Sequence, residues 1–287
     1  GEQEHRLLKL FYARTNRRNF SFQVSKQNTR KRRLDAIGRR EPYRNKRHLM
    51  QETDNDPLPA TNPNRHYHIS DSLRYPITLD QFMQDHWNDE ATTDFGLKLC
   101  NYILTYLGRT GDPTTFTPAD RNSVIIQNNK LFEHKILRIN FTDYTRHRDQ
   151  DFVNPRTCSD IMVLAPEDHQ YQHPYWYCRV LGIFHTNVLR RSRSNAPPIQ
   201  VDFLWVRWYS LDESHIHGFS NHRLPHVSFM DSREPTAFGF VNPKDVIHAV
   251  HLIPHFETKT TRSLLSVSVA RRNDENDKDW CFYDVNM

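Results

Sequence analysis

The spacing of apolar residues changes character along this chain. From Arg14 to Arg47 the sequence is polar and rich in Arg, Asn and Gln, with only scattered apolar positions such as Leu34 and Ile37. Such a segment cannot bury enough surface to offset its ordering entropy, which predicts a disordered arm. Residues 52–64 hold three prolines and no apolar period, the mark of an extended linker. Helical spacing follows. Asp80–His86 fits a short helix, and Phe95, Leu99, Tyr102, Ile103 and Tyr106 then recur at steps of three and four residues. Thr93 or Asp94 stands where an N-cap belongs, and Gly108 where this second helix should stop.

From Leu131 onward the pattern shortens to runs of β-branched and aromatic residues between Pro, Asn, Asp and Ser clusters. The predicted strands are Phe132–Phe141, Asp160–Leu164, Tyr175–Phe184, Ile199–Tyr209, Leu224–Met230, Val246–Ile253 and Leu264–Val269. Strands of this length without repeated intervening helices predict an antiparallel barrel or sandwich, not a parallel doubly wound sheet. Leu189–Pro198, with its arginines and Pro-Pro pair, is predicted to be a loop. Three regions result: a basic arm and linker over 1–56, a helical or irregular N-terminal layer over 57–130, and a β-rich domain over 131–287.

Charge sharpens the division. The 287 residues carry a formal +5, but residues 1–50 hold 15 Lys+Arg against 4 Asp+Glu, leaving 24 basic and 30 acidic residues in 51–287. Two clusters punctuate the arm, Arg30-Lys31-Arg32-Arg33 and Arg44-Asn45-Lys46-Arg47. Their spacing fits a bipartite nuclear-import signal, and Arg30, Lys31, Arg32, Arg33, Arg44, Lys46 and Arg47 would equally neutralise phosphates on DNA or RNA. Arg146, His147 and Arg148, and Arg190, Arg191 and Arg193, form two further basic patches, in solvated loops or against phosphates. No apolar run approaches the roughly 20 residues of a membrane span, so no membrane partner is expected. The four cysteines stand far apart, which predicts a reducing compartment without disulfides or a cysteine-built zinc site. A start at Gly1 and a stop at Met287, beside the strand-like Trp280–Val285, suggest a piece of a longer parent protein.

Several longer runs are distinctive: Asn154-Pro155-Arg156-Thr157, Asp160–Leu164, His173–His185, Asp202–Trp208, Phe238-Gly239-Phe240, Asp245-Val246-Ile247 and His251–Pro254. Together they resemble a conserved region of large proteins that recur in mushroom-forming fungi, products of mobile elements of the Plavaka and wider KDZ transposase group. The resemblance runs from about Leu58 to Met287. It implies little chemistry, since this region does not carry the recognised nuclease triad of such proteins. Arg179–Phe184, Val206–Tyr209 and Val246–Ile253 also resemble, in order, the strand pattern of bromo-adjacent homology (BAH) modules, which are SH3-like barrels. That likeness implies a mostly β fold with a minor α part, an SH3-like or BAH-like barrel, and a role in reading histone tails or in binding other macromolecules.

Alternation in the Ile199–Tyr209 strand places Trp205, Arg207 and Tyr209 on one face, with Val206 and Trp208 on the other. Tyr175, Tyr177, Trp205, Trp208 and Tyr209 could cage a methylated lysine, stack on unpaired bases or fill the core. His215, His217, His222 and His226 crowd one loop but match no common metal motif, so no metal is assigned and no cofactor is expected. Asp143, Asp160 and Asp202 lie near strand starts, where a two-metal nuclease would place carboxylates. No other catalytic signature is present. The sequence thus predicts a non-enzymatic nuclear module associated with DNA or chromatin. A metal-dependent nuclease or transposase subunit is the alternative, and convergence of the three aspartates would decide for it.

Overall fold

The computed structural model describes residues 25, 26, 28–30, 66–109, 116–142, 148–165, 173–191, 197–215, 217–218, 223–272 and 275–286. The chain divides into two units, Gly1–Asn62 and Pro63–Met287, at the proline-rich linker. In the first, residues 25, 26 and 28–30 are helical. Lys31, Arg32, Arg33, Arg44, Lys46 and Arg47 lie outside the described residues.

The second unit opens with β1 (Tyr67–Ile69), β2 (Pro76–Thr78), α1 (Leu79–Asp85), α2 (Phe95–Tyr106) and α3 (Pro118–Asn122). Short strands follow: β3 (Val124–Ile126), β4 (Lys130–His134), β5 (Leu137–Thr142), β6 (Arg148–Val153) and β7 (Asp160–Leu164). A long hairpin comes next, β8 (Tyr175–Arg190) and β9 (Ile199–Leu211). The remainder is β10 (His226–Phe229), β11 (Phe238–Val241), β12 (Val246–Ala249), β13 (His251–Pro254), β14 (Thr260–Thr261), β15 (Asp279–Trp280) and β16 (Tyr283–Asn286). The unit is mostly β, and its described strand pairings are antiparallel. No described helix is long and apolar enough to cross a membrane.

The main sheet runs β12-β7-β8-β9-β10-β16-β13, with β11, β3 and β4 pairing onto the hairpin and β2 onto β4. This is an open sheet and not the closed barrel that the strand pattern predicts. Its two end strands, β12 and β13, are nevertheless consecutive in the chain. Val250 between them donates its N–H to the Asp160 carbonyl at 2.8 Å.

The β8–β9 hairpin is covered on both faces. On one, Phe184, Val201, Phe203 and Trp205 meet Phe95, Leu99 and Ile103 of α2, the residues whose spacing announced the helix. On the other, Cys178, Val180, Ile183, Leu204 and Val206 meet Leu137, Ile139 and Val153 of a small β1-β5-β6 sheet. Neither Thr93 nor Asp94 caps α2 with its side chain; Asp94 takes the N-cap position in a left-handed conformation, φ 57°. Gly108, at φ +82°, follows the helix as expected.

Several boundaries depart from the sequence reading. Phe132–Phe141 is divided between β4 and β5, and β8 continues to Arg190, so the predicted loop begins only after it. Residues 57–130 contribute β1, β2 and β3 to the sheets as well as helices. Leu264–Val269 is not a strand. Leu265 plugs into the α2-side core, and Asp89 holds the next turn by accepting from Ser268 Oγ at 2.7 Å and Val269 N at 2.6 Å, which leaves no edge to pair.

A charged row crosses the sheet. Register sets Asp160 on β7 opposite Arg179 on β8, and Arg179 opposite Arg207 on β9. Arg207 is 1% exposed and Asp279 is fully buried; their two bonds measure 3.1 and 3.0 Å. Arg271 donates to the same carboxylate at 3.0 and 3.2 Å. Arg179 bonds Asp160 at 3.1 Å and also pairs with Glu275. Both guanidinium groups lie over the Phe229 ring, Arg207 at 3.8 Å and Arg179 at 4.7 Å.

β8 carries a bulge between Val180 and Gly182 against β9. A Cβ at Gly182 would run into the Phe184 ring, which stacks on Phe203 in the core. Gly182→Ala is therefore expected to destabilise the protein by about 1–3 kcal/mol through overpacking, read from urea denaturation. An unchanged midpoint would show that the bulge can absorb the methyl group.

Candidate functional site

The aromatic residues of the hairpin are placed by its alternation, and most point into the interior. Trp205 meets Phe95 edge-on at 5.4 Å under α2. Tyr209 stacks on Phe229 at 4.2 Å and donates its hydroxyl to Asp160 Oδ1 at 2.9 Å; burial raises its phenol pKa well above the ordinary value. Tyr177 is 2% exposed, with His173 Nε2 2.8 Å from its hydroxyl. A cage needs open ring faces, so Tyr177, Trp205 and Tyr209 are corrected from peptide-binding to core positions. Tyr175 and Trp208 are half-buried, and Trp208 meets Trp176 edge-to-face at 5.8 Å. The near-unbroken apolar run Val201–Tyr209 was the available signal, because a strand covered on both faces loses its polar alternation.

The basic loop patch is likewise split. Arg190 ends β8, half-buried, and donates to the Leu107 carbonyl at 2.7 Å, closing the C-terminus of α2. Arg191 is exposed beside α3, its N–H on the Ser123 carbonyl at 2.9 Å. Arg30 is exposed; Arg193 and Arg146–His147 lie outside the described residues.

Asp160 and Asp202 do not gather. Asp160 is engaged by Arg179 and Tyr209, whereas Asp202 accepts from Tyr67 at 2.8 Å and from Gln200 at 2.9 Å. Asp160 pairs across from Arg179 and Asp202 from His185, six residues farther along β8. At the strand rise that is about 20 Å, so these two cannot share a metal pair. Asp143 lies outside the described residues.

The histidine cluster divides in two. His217 meets His173 at 5.3 Å, whereas His215 stacks on His226 at 3.5 Å. His222 lies outside the described residues. Residues absent from the sequence reading then complete the second group. His226 Nε2 is 2.8 Å from Asp284 Oδ1, and His255 Nδ1 is 3.1 Å from Asp284 Oδ2. One donor atom from each of His226, His255 and Asp284 falls within 4.8 Å of the others, an arrangement that can hold a divalent ion. Burial, with His215 close by, holds the His226 pKa below the ordinary value although Asp284 opposes this. No local motif could reveal the trio, because β10, β13 and β16 bring it together only by pairing. Asp284 alone left a trace, a charge inside the apolar Trp280–Val285 run.

Another pair is buried between β4 and β8, His134 Nε2 lying 2.6 Å from His185 Nδ1. One ring nitrogen must donate and the other accept, so the accepting ring is neutral, and burial disfavours the charged form of both. Comparison with protein families, curated proteins and solved structures yields no match for this chain.

Burial, reinforced by the neighbouring His185, lowers the His134 pKa from 6.5 to about 4. The unfolded state therefore binds more protons between those values, and stability is lost as pH falls through this window. Urea midpoints are expected to drop from pH 7 to about 4.5, and more shallowly in His134→Gln. Equal slopes in the two proteins would contradict the neutral buried pair.

Proposed function

We propose that this chain is a non-enzymatic DNA-tethering module of a protein of the Plavaka and KDZ transposase group, acting in the nucleus. The observation that carries this reading is the charge division, a basic segment over 1–50 on a chain whose remaining residues are net acidic. Phosphate binding needs only such a density of Lys and Arg, without base-reading geometry. The separation of Asp160 from Asp202 and their engagement by Arg179, Tyr209 and Tyr67 support recognition over cutting.

The family reading rests on the distinctive sequence runs themselves. Of the BAH-like pattern, Arg179–Phe184 lies in β8 and Val206–Tyr209 in β9, but Val246–Ile253, expected as one strand, is divided between β12 and β13 of an open sheet. Histone-tail reading is the weaker branch, since burial of Tyr177, Trp205 and Tyr209 leaves only Tyr175 and Trp208 of the five half-open.

Binding of duplex DNA by the full chain is expected to weaken steeply with salt. Changing Arg30, Lys31, Arg32, Arg33, Arg44, Lys46 and Arg47 together to Gln should flatten the log–log slope by up to about 6. Fluorescence anisotropy from about 50 to 200 mM salt reads this. The same affinity and slope in both proteins would remove the arm from DNA binding. A preference for methylated histone peptides over DNA would transfer the function to the β-rich unit.

A further inference from the structure

We propose that His226, His255 and Asp284 form a binding site for a divalent transition-metal ion, with zinc(II) the best match. Sheet pairing preorganises the site. Asp284 lies on β16 directly opposite His226 on β10, and its other neighbour is Ile253 on β13. His255 follows β13 immediately; its backbone N–H donates to the Phe282 carbonyl at 3.0 Å, which holds the chain there, and its ring Nδ1 lies 3.1 Å from Asp284 Oδ2. The three donors thus ride on three hydrogen-bonded neighbours of one sheet.

The distances suit an ion of this size. Zinc bonds of about 2.0–2.2 Å place tetrahedral donors roughly 3.3–3.5 Å apart. The His226–Asp284 and His255–Asp284 separations of 2.8 and 3.1 Å lie just inside that edge length, and the set closes within 4.8 Å. Small side-chain rotations suffice to admit the ion. All three residues are half-buried, enough to shed water on one side and leave an approach on the other.

Further titratable side chains flank the three donors without joining the group. His215 stacks on His226, and the Asp212 N–H is tied to the His226 carbonyl at 2.9 Å, which brings that carboxylate residue beside the site. Glu257 reaches His255 Nε2 at 3.8 Å from an exposed position. Two imidazole nitrogens and one carboxylate select zinc over the hard, oxygen-seeking magnesium and calcium ions. Bound there, the ion would join β16 to β10 and β13 and stabilise the fold by mass action.

The test is calorimetric titration of zinc chloride into the chelator-treated full chain, with magnesium chloride in parallel. Cobalt(II) absorption reads the geometry. Zinc is expected to bind and to raise Tm, magnesium to do neither, and cobalt(II) to give tetrahedral visible bands. His255→Gln and Asp284→Asn should each lose at least tenfold in zinc affinity, whereas His173→Gln, in the other histidine group, should keep it. If Asp284→Asn does not fold, His255→Gln with its circular dichroism checked decides alone. Unchanged zinc affinity in a folded His255→Gln, or no zinc binding by the parent chain, would overturn the site and leave Asp284 as a hydrogen-bond acceptor between two imidazoles.

Discussion

Two arginines stand directly across from one another in the middle of the sheet, and neither can reach bulk water. Arg179 and Arg207 are cross-strand partners on β8 and β9, a like-charge pairing that destabilises a sheet unless it is compensated. A buried charge left unpaired costs several kcal/mol, so carboxylates must come to the row. Asp160 arrives by strand pairing, whereas Glu275 and Asp279 are delivered by the chain after β13. Seating Asp279 places β15 against β14, and β16 follows directly to pair with β10 and β13. Phe229 fills the gap between the guanidinium groups, its ring face attracting both cations.

This arrangement decides what the β-rich unit has available for recognition. With α2 on one face of the hairpin and the β1-β5-β6 sheet on the other, the aromatic strands are consumed as core. Polar chemistry is displaced to the ends of the sheet, where β10, β13 and β16 bring His226, His255 and Asp284 together. The proposed metal site therefore depends on the arginine row, because Asp279 fixes the approach to the strand that carries Asp284. The arm's charge is a separate resource, written in composition and independent of that geometry.

Much of the fold was legible. The α2 spacing, the β7 limits, the start of β8 and most of β9 follow from the local pattern, whereas the extension of β8 to Arg190 does not. Short strands such as β2, β3 and β14 escaped because two or three residues carry no period; β2 and β3 form on the edges of the longer β4 and β8. Leu264–Val269 misled because apolar content does not distinguish a strand from a core-plugging turn held by Asp89. Of the candidate chemistry, His226 was visible as part of a crowded loop, but His255 and Asp284 lie far from it in sequence and meet it only through antiparallel register. Arg207 was assigned to the correct face, yet nothing local to it names Asp279 as its partner.

The dependence on the buried charge row is tested most directly by a double-mutant cycle between Arg207 and Asp279, using Arg207→Met and Asp279→Asn with stability read from urea denaturation. The account expects each single change to be strongly destabilising and the double change to cost less than their sum by about 1–3 kcal/mol. Additivity within about 0.5 kcal/mol would show that the two charges do not depend on each other, and the constraint proposed to organise the C-terminal strands would be contradicted.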